Sequence, residues 1–501
     1  MNRRAMSFVR CATPIGWKRL LVDSFWLFVY VHDVKITIQR LGKIRNAELR
    51  LRPITLLVGE NNTNKSWTAY AAYALLRALA QIPSGPQPRP RLVTRSVAQR
   101  INLIAREAAK RISLVPSSAA INLEFKRREI LNALEGDLGL SLGPRQLSDV
   151  LAVPQNLIKG AKVSLYVPKK ELGGGPEFFV FSLGPDGGLI YGPTVRHLKK
   201  GLPLDMDHFT NFFEELGAKN LTFSFESTKR TGWEKQISTM LLDFTLQVFG
   251  NVFALPAERK ALVSMYKPLS EDPKIEVPLP LRHFITNLRN AESQTRNNNR
   301  RLSVPKSNRH FQVYSKLLNV LGGQLNFEGS DQIKHLTYSP TKRLSLPIQA
   351  ASSMVRSLTG FAIAIKEFVQ GENVLVIDEP EMNAHPRAQL AIVEMMAVLA
   401  NLGNYVIATT HSPYVVDHFN NLIAASELSG KVRERASKKF VLKMPSAFLS
   451  SEKVAAYELS RTGDVTDLMS VDRRRIATTT FGNVSDKLGN IYGDLLEMKE
   501  Q

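Results

Sequence analysis

Hydrophobic positions along this chain fall into two patterns. Short continuous apolar runs occur at Ile54-Thr55-Leu56-Leu57-Val58, Val252-Phe253-Ala254-Leu255, Val374-Leu375-Val376-Ile377 and Tyr405-Val406-Ile407-Ala408-Thr409-Thr410. They are rich in β-formers and do not alternate apolar with polar, the habit of strands buried on both faces in a parallel sheet. Longer stretches, Trp67 to Ala80, Val355 to Phe368 and Arg387 to Leu402, have the length and apolar content of packed helices. An α/β fold with a mostly parallel core sheet is therefore predicted.

The middle of the chain breaks this pattern. Residues 81–92 carry Pro83, Pro86, Pro88 and Pro90 and end the first helix. Val93 to Leu134 reads as helical, with apolar residues recurring every three or four positions. Lys162 to Tyr191 reads as β, its two strand-like runs separated by Gly173-Gly174-Gly175, and 204–250 returns to helix. No heptad repeat is sustained, so the middle is expected to be a compact, mainly helical insertion and not a long coiled coil.

Ile54 to Val58 runs directly into Gly59-Glu60-Asn61-Asn62-Thr63-Asn64-Lys65-Ser66, and a helix follows. Strand, loop, helix is the setting of a phosphate-binding loop. There successive backbone N–H groups and a helix N-terminus surround phosphates, a lysine reaches the β/γ-phosphates and a hydroxyl holds Mg²⁺. Lys65 and Ser66 stand at those two positions. The second glycine of the usual pattern is replaced by Asn64, one of the few side-chain-bearing residues that enter left-handed backbone readily, at a cost on the order of 1 kcal/mol. An ordinary Asn-rich loop is the alternative for this segment alone.

The run Val374 to Ile377 ends in Asp378-Glu379-Pro380-Glu381, carboxylates at the end of a buried strand. Asp378 is placed to coordinate Mg²⁺ and Glu379 to orient or deprotonate an attacking water. Tyr405 to Thr410 ends in His411-Ser412-Pro413, where a histidine can contact the γ-phosphate. Asn383-Ala384-His385-Pro386 lies between them as either a contact loop or a solvated turn before a helix.

With these segments in hand, the chain resembles ATP-binding-cassette-type ATPases of the branch that includes the structural-maintenance-of-chromosomes and RecF/RecN-like proteins. It is more closely similar to the overcoming-lysogenisation-defect and related prokaryotic AAA-type defence ATPases. Gly59-Glu60-Asn61-Asn62, Leu255-Pro256-Ala257-Glu258-Arg259, Leu346 to Ser353, Asp378-Glu379-Pro380-Glu381 and Thr410-His411-Ser412-Pro413-Tyr414 carry that resemblance. It implies a P-loop NTPase head with antiparallel N-terminal strands beside the parallel sheet. It also implies ATP and Mg²⁺ as cofactors and two heads that sandwich ATP into a homo-oligomer. Nucleotide contacts are then expected from Gly59, Asn61, Asn62, Thr63, Asn64, Lys65, Ser66, Ser352 and Ser353, with Ser66 and Asp378 on the metal and Glu379 and His411 in catalysis. Ser353-Met354 departs from the family's small residues ending in glycine, which places trans-activation in question. Glu258 and Arg259 are left either near the active face or in a salt-bridged loop.

The implied domains are an extension at 1–32, the N-terminal lobe of the head at 33–82, the insertion at 83–250, the C-terminal lobe at 251–425 and a basic, helical tail at 426–501. The extension is read as poorly ordered or as an upstream start-codon artefact. Overcoming-lysogenisation-defect proteins carry a metal-dependent nuclease after the head. No Asp-x-Asp follows His411, and the single instance, Asp205-Met206-Asp207, suits a helix start, so no nuclease chemistry is expected of this chain. A separate effector, a nuclease or toxin, becomes the expected partner, as in the phage anti-restriction-induced and Septu systems.

Composition narrows the setting. A single cysteine, Cys11, excludes an internal disulfide framework and points to a reducing, cytoplasmic compartment. Leu20 to Val31 is the one candidate membrane segment, shorter than the about 20 residues a span needs and broken by Asp23, so no membrane partner is expected. The 66 Lys and Arg against 45 Asp and Glu give a formal charge of +21, a field that favours phosphate-rich partners. Its densest unopposed patch, Ser293 to Lys316, is either a nucleic-acid contact or a solvated segment. Two other readings therefore stand beside the switch: a DNA-repair-type ATPase that binds DNA directly, and a degenerate nucleotide-binding scaffold.

Overall fold

The computed structural model describes residues 34–78, 91–92, 103–107, 110, 121–126, 138–167, 178–183, 189–193, 251–271, 276–297, 310–329, 334–368, 373–477 and 490–491. The chain divides into two units, one of residues 1–31, 92–139 and 167–248, the other of residues 32–91, 140–166 and 249–501.

The first unit contains an antiparallel sheet ordered Ile121–Lys126, Phe178–Leu183, Leu189–Pro193. Ile121–Lys126 falls in the stretch read as helical. Its sequence, Ile-Asn-Leu-Glu-Phe-Lys, alternates apolar and polar strictly, and the period of two decides for a strand. The helical reading of 204–250, Asp205 to Asp207 and the 1–32 extension lie outside the described residues. So do the centre of the basic patch and, apart from the helical Asn490 and Ile491, the end of the tail from residue 478.

The second unit opens with the hairpin β1 (Lys35–Leu41) and β2 (Ile44–Arg50), followed by β3 (Ile54–Val58) and helix α1 (Lys65–Ala78). It resumes with β4 (Leu138–Leu142), α2 (Pro144–Leu151) and β5 (Lys162–Val167). Strands β2, β1, β5 and β4 are neighbours in one sheet, with Ile36 opposite both Leu49 and Leu165 in antiparallel register. Residues 140–166, read as part of the insertion, thus belong to the same unit as the N-terminal strands. Alternation in β1 and β5 leaves one apolar face of each strand to be covered, and pairing the two strands merges these faces.

Chain beyond the insertion supplies β6 (Val252–Leu255), α3 (Arg259–Glu271), α4 (Leu279–Asn297), α5 (Phe311–Leu321), α6 (Ser353–Ile363), β7 (Val374–Ile377), α7 (Pro386–Asn401), β8 (Tyr405–Thr410), α8 (Pro413–Ser426), α9 (Gly430–Ser437), β9 (Val454–Leu459) and β10 (Val465–Asp467). The central sheet has the order β6-β7-β8-β3-β9-β10, and every pair from β6 to β9 is parallel. All residues of β3, β6, β7 and β8 are buried, as their unbroken apolar sequences require. One row of the register runs Leu255, Ile377, Ala408, Leu56, Ala456, so the C-terminal ends of five strands line up along one edge. This is a mostly parallel α/β sheet of the P-loop NTPase type with an antiparallel N-terminal sheet, and sheets of this kind bind ligands outside the carboxyl ends of their strands.

The region read as a tail from residue 426 instead completes the core. Strand β9 pairs with β3 along Val454 to Glu458. Val-Ala-Ala-Tyr-Glu-Leu is too rich in alanine to read as a core strand, yet small side chains suit a central strand covered closely on both faces. Glu394 of α7 is fully buried and fastens the connecting segment, accepting hydrogen bonds from Val441 N at 2.8 Å and Leu442 N at 2.7 Å and lying 3.0 Å from His418 Nε2. Among the described residues no helix is long and apolar enough to cross a membrane.

Candidate nucleotide site

The loop from Gly59 to Asn64 joins β3 to α1 at the aligned strand ends. Gly59 has φ 149°, and a Cβ there would lie 2.4 Å from the carbonyl oxygen of Leu459 at the end of β9, so no side chain is tolerated. Asn62 and Asn64 adopt left-handed backbone, φ 66° and 65°. Asn61 and Asn62 are exposed, whereas Thr63 is buried with its hydroxyl donating to Glu60 O at 2.9 Å. The asparagine that replaces the second glycine thus keeps the glycine conformation and adds an anchor, because Asn64 Oδ1 accepts from Lys43 N at 2.9 Å in the β1–β2 turn. Gly42 in that turn has φ 59°, and a Cβ on it would come within 2.4 to 2.7 Å of the Asn64 amide atoms.

A double-mutant cycle tests this packing. Gly42→Ala is expected to cost on the order of 2–3 kcal/mol, and roughly 1 kcal/mol of that should vanish in an Asn64→Gly background, where the collision is gone but the left-handed strain remains. Chemical denaturation of the four proteins checks it, and strict additivity would refute the contact.

Lys65 is only 6% exposed, and its ammonium donates to the loop's own carbonyls, Gly59 O at 2.8 Å and Glu60 O at 2.6 Å. Burial pulls its pKa down, opposed by the carboxylates of Glu379, Asp378, Glu381 and Glu60. Ser66 Oγ donates to Asp378 Oδ1 at 3.0 Å, and the same oxygen accepts from Thr409 Oγ1 at 2.5 Å. Hydroxyl and carboxylate converge from β3–α1 and β7 as a Mg²⁺ site of this kind requires. Among the described residues no group of three His, Cys, Asp or Glu is arranged to hold a metal. A Mg²⁺ bound here would take Ser66 and Asp378 and complete its shell with phosphate and water, the usual habit of this cation.

Glu379 follows in a left-handed conformation, φ 48°, with its N–H donating to Thr409 Oγ1 at 3.0 Å. Its carboxylate lies 3.6 Å from His411 Nδ1. Burial raises the Glu379 pKa, His411 pulls it down, and the neighbouring Asp378 and Glu381 push it further up. His411 is held from behind, since its N–H donates to Glu381 Oε1 at 3.0 Å and the Thr410 hydroxyl donates to the same oxygen at 2.7 Å. Glu381 is 5% exposed, and among the described residues its buried Oε2 has no hydrogen-bond partner.

A base with a raised pKa loses its charge at higher pH than an ordinary glutamate. Turnover that depends on the Glu379 carboxylate is therefore complete well above the usual carboxylate range and falls as pH drops through the raised value, before pH 4.5 is reached. A kcat profile shows this acid limb in the wild type, and the residual activity of Glu379→Gln should lack it.

The structure brings together Lys65, Ser66, Asp378, Glu379 and His411 around one loop. Ser352 and Ser353 stand apart from that network. Ser352 is exposed and caps α6, its Oγ accepting from Val355 N at 3.3 Å. His385 caps α7, its Nδ1 accepting from Arg387 N at 3.3 Å. Thr409, Thr410 and Glu381 join the same hydrogen-bonded network, although the strings that contain Thr410 and Glu381 assign neither of them a role. Two adjacent hydroxyls ending an apolar strand are the available signal, because a buried threonine needs a partner and the strand end supplies carboxylates.

One comparison bears on what this arrangement binds. Residues 212–416 match the AAA ATPase domain family AAA_15. The matched ATPase-domain region holds the acidic turn and His411 but covers less than half of the chain and omits the phosphate loop. It supports an AAA-type ATPase, and with it ATP binding and hydrolysis as the general activity. No curated protein matches the sequence. Among solved structures, an SMC head bound to the C-terminal winged-helix domain of ScpA is 10% identical, with 88% of this chain and 98% of that one covered, at a TM-score of 0.31. A Pyrococcus furiosus Smc head with an extended coiled coil, bound to the C-terminal domain of ScpA, is 11% identical, covering 91% and 98%, at 0.29. The SMC head domain from Thermotoga maritima is 10% identical, covering 77% and 90%, at 0.24. At these TM-scores the likeness carries no argument, and the fold rests on the strand order and register above.

Proposed function

We propose that the protein is a Mg²⁺-dependent ATP-hydrolysing switch. Its heads associate around ATP, and its nucleotide state controls a separate effector, a nuclease or toxin, in anti-phage defence. The observation that carries this reading is the bond from Ser66 Oγ to Asp378 Oδ1 at 3.0 Å, which joins the phosphate loop to the acidic strand end beside Lys65, Glu379 and His411. Lys65 binds the β/γ-phosphates once it leaves the loop carbonyls. Bound Mg²⁺ supplies charge neutralisation at the phosphates. Glu379 accepts the proton of the attacking water, and His411, fixed by Glu381, donates to the terminal phosphate and answers to its presence. Ser352, exposed at the N-terminus of α6, is free to meet the nucleotide of a second head.

The exposed face around the site supports association. Met382 in the acidic turn and Tyr414 after His411 are 39% and 53% exposed, apolar groups that a second copy would cover. Light scattering with and without Mg-ATP, alongside phosphate release, tests the proposal. ATP-dependent growth in mass with slow turnover is expected, and a mass indifferent to nucleotide would remove the switch. The charge of +21 favours one competing reading, direct DNA binding, which predicts ATP-dependent and salt-sensitive affinity for duplex DNA.

A further inference from the structure

Arg259, the first residue of α3, is fully buried, and its five N–H donors all end on backbone carbonyls. Nη1 donates to Pro256 O at 3.0 Å and Asp378 O at 2.8 Å. Nη2 donates to Glu379 O at 2.8 Å and Pro380 O at 3.2 Å. Nε reaches Ser357 O of α6 at 3.2 Å, and the guanidinium carbon sits 5.6 Å from the centre of the Phe361 ring on the same helix. A second tie runs in parallel, with Ser357 Oγ donating to Met382 O at 3.2 Å.

None of these acceptors is a carboxylate, so the group is not a salt bridge inside the core. A buried guanidinium loses its hydration, and burial lowers the Arg259 pKa to about 10 against the pull of Asp378, Glu381 and Glu379. What it gains is geometry. Three consecutive carbonyls turned toward one planar fork fix the backbone of the acidic turn. In that turn Glu379 holds φ 48°, a conformation that a residue with a side chain keeps only where its surroundings over-determine it. Thr409 Oγ1 receives Glu379 N–H on the other side of the same residue. The fork therefore sets where the Glu379 carboxylate points, and its Nε ties that setting to α6.

We infer that Arg259 is the positioning residue of this site, holding the Asp378–Pro380 turn in its working conformation and coupling it, together with Ser357, to helix α6. The inference rests on the ATPase reading and deepens it. Helix α6 begins at the exposed Ser352, so a displacement imposed at that end reaches Glu379 through Ser357 O, Ser357 Oγ and the guanidinium.

Arg259→Lys keeps a cation but loses the fork, because an ammonium cannot span five carbonyls in three segments. Its Mg-ATP affinity, read with a fluorescent ATP analogue, should stay within about threefold of wild type while kcat falls about 100-fold, the scale of a misplacement near 1 Å. Since Arg259 acts through Glu379, adding Arg259→Lys to Glu379→Gln should cost nothing further. Ser357→Ala, which removes only the parallel tie, should lower kcat several-fold with affinity unchanged. Wild-type kcat in Arg259→Lys, an affinity loss that parallels kcat, or full multiplication of the two losses would overturn the assignment. If Arg259→Lys fails to fold, wild-type kcat in Ser357→Ala overturns it alone. A wild-type protein without Mg-ATP turnover removes the ATPase reading and this inference together, and is thereby distinguished from failure of the inference alone.

Discussion

Lys65→Ala is expected to abolish measurable nucleotide binding, a loss of at least 100-fold in affinity or about 3 kcal/mol. Lys65 is 6% exposed and now spends its donors on Gly59 O and Glu60 O. Its surroundings are otherwise acidic, with Glu379, Asp378, Glu381 and Glu60 all acting on its charge. A triphosphate entering the alanine variant would meet those carboxylates without the one buried cation of the loop. The apo protein should change less, since the loop carbonyls can turn to water at a cost of about 1 kcal/mol each. Titration with Mg-ATP, together with thermal melting in its absence, separates the two effects. An unchanged Kd would show that the loop does not bind phosphate.

Glu379→Gln should do the opposite to binding while removing chemistry. The amide is isosteric with the carboxylate, and the restraints from Thr409 and Arg259 act on the backbone N–H and C=O of residue 379, which the substitution leaves in place. ATP should bind as tightly as in wild type or more so, because one negative charge has left a pocket that receives phosphates. Turnover should fall by about 10² to 10⁴, the usual contribution of a positioned base. Trapped ATP then holds the assembled state, so single-turnover quenching should show bound ATP, and light scattering should show a larger mass than wild type at equal nucleotide. Equal mass with and without ATP in this variant would count strongly against the switch.

Much of the site is legible in the sequence because it is built from local patterns. A parallel core strand announces itself by an unbroken apolar run, and β3, β6, β7 and β8 all do so. The loop after β3, the carboxylates after β7 and the histidine after β8 follow because chemistry collects where such strands end. Strand β9 escapes such a reading because Val454 to Leu459 dilutes its apolar character with two alanines and a glutamate. Asn64 reads as a costly substitution because its benefit, the acceptor for Lys43 N, comes from a turn 21 residues away. Arg259 is unreadable for the same kind of reason. A basic residue after a strand looks like surface, and the carbonyls of two distant segments, at Ser357 and at Asp378 to Pro380, are what make its burial tolerable.

The sequence by itself therefore determined the core strands β3, β6, β7 and β8 and the kind of chemistry expected where they end, since apolar runs and loop motifs are short-range properties. Tertiary structure decided which of them meet. Ser66 and Asp378 are 312 residues apart and share a 3.0 Å bond, residues 138–167 contribute strands beside the N-terminal hairpin, and Glu381 stands behind His411. Those pairings depend on strand order and register, which are fixed by the joint burial of every strand in the sheet and not by any one segment.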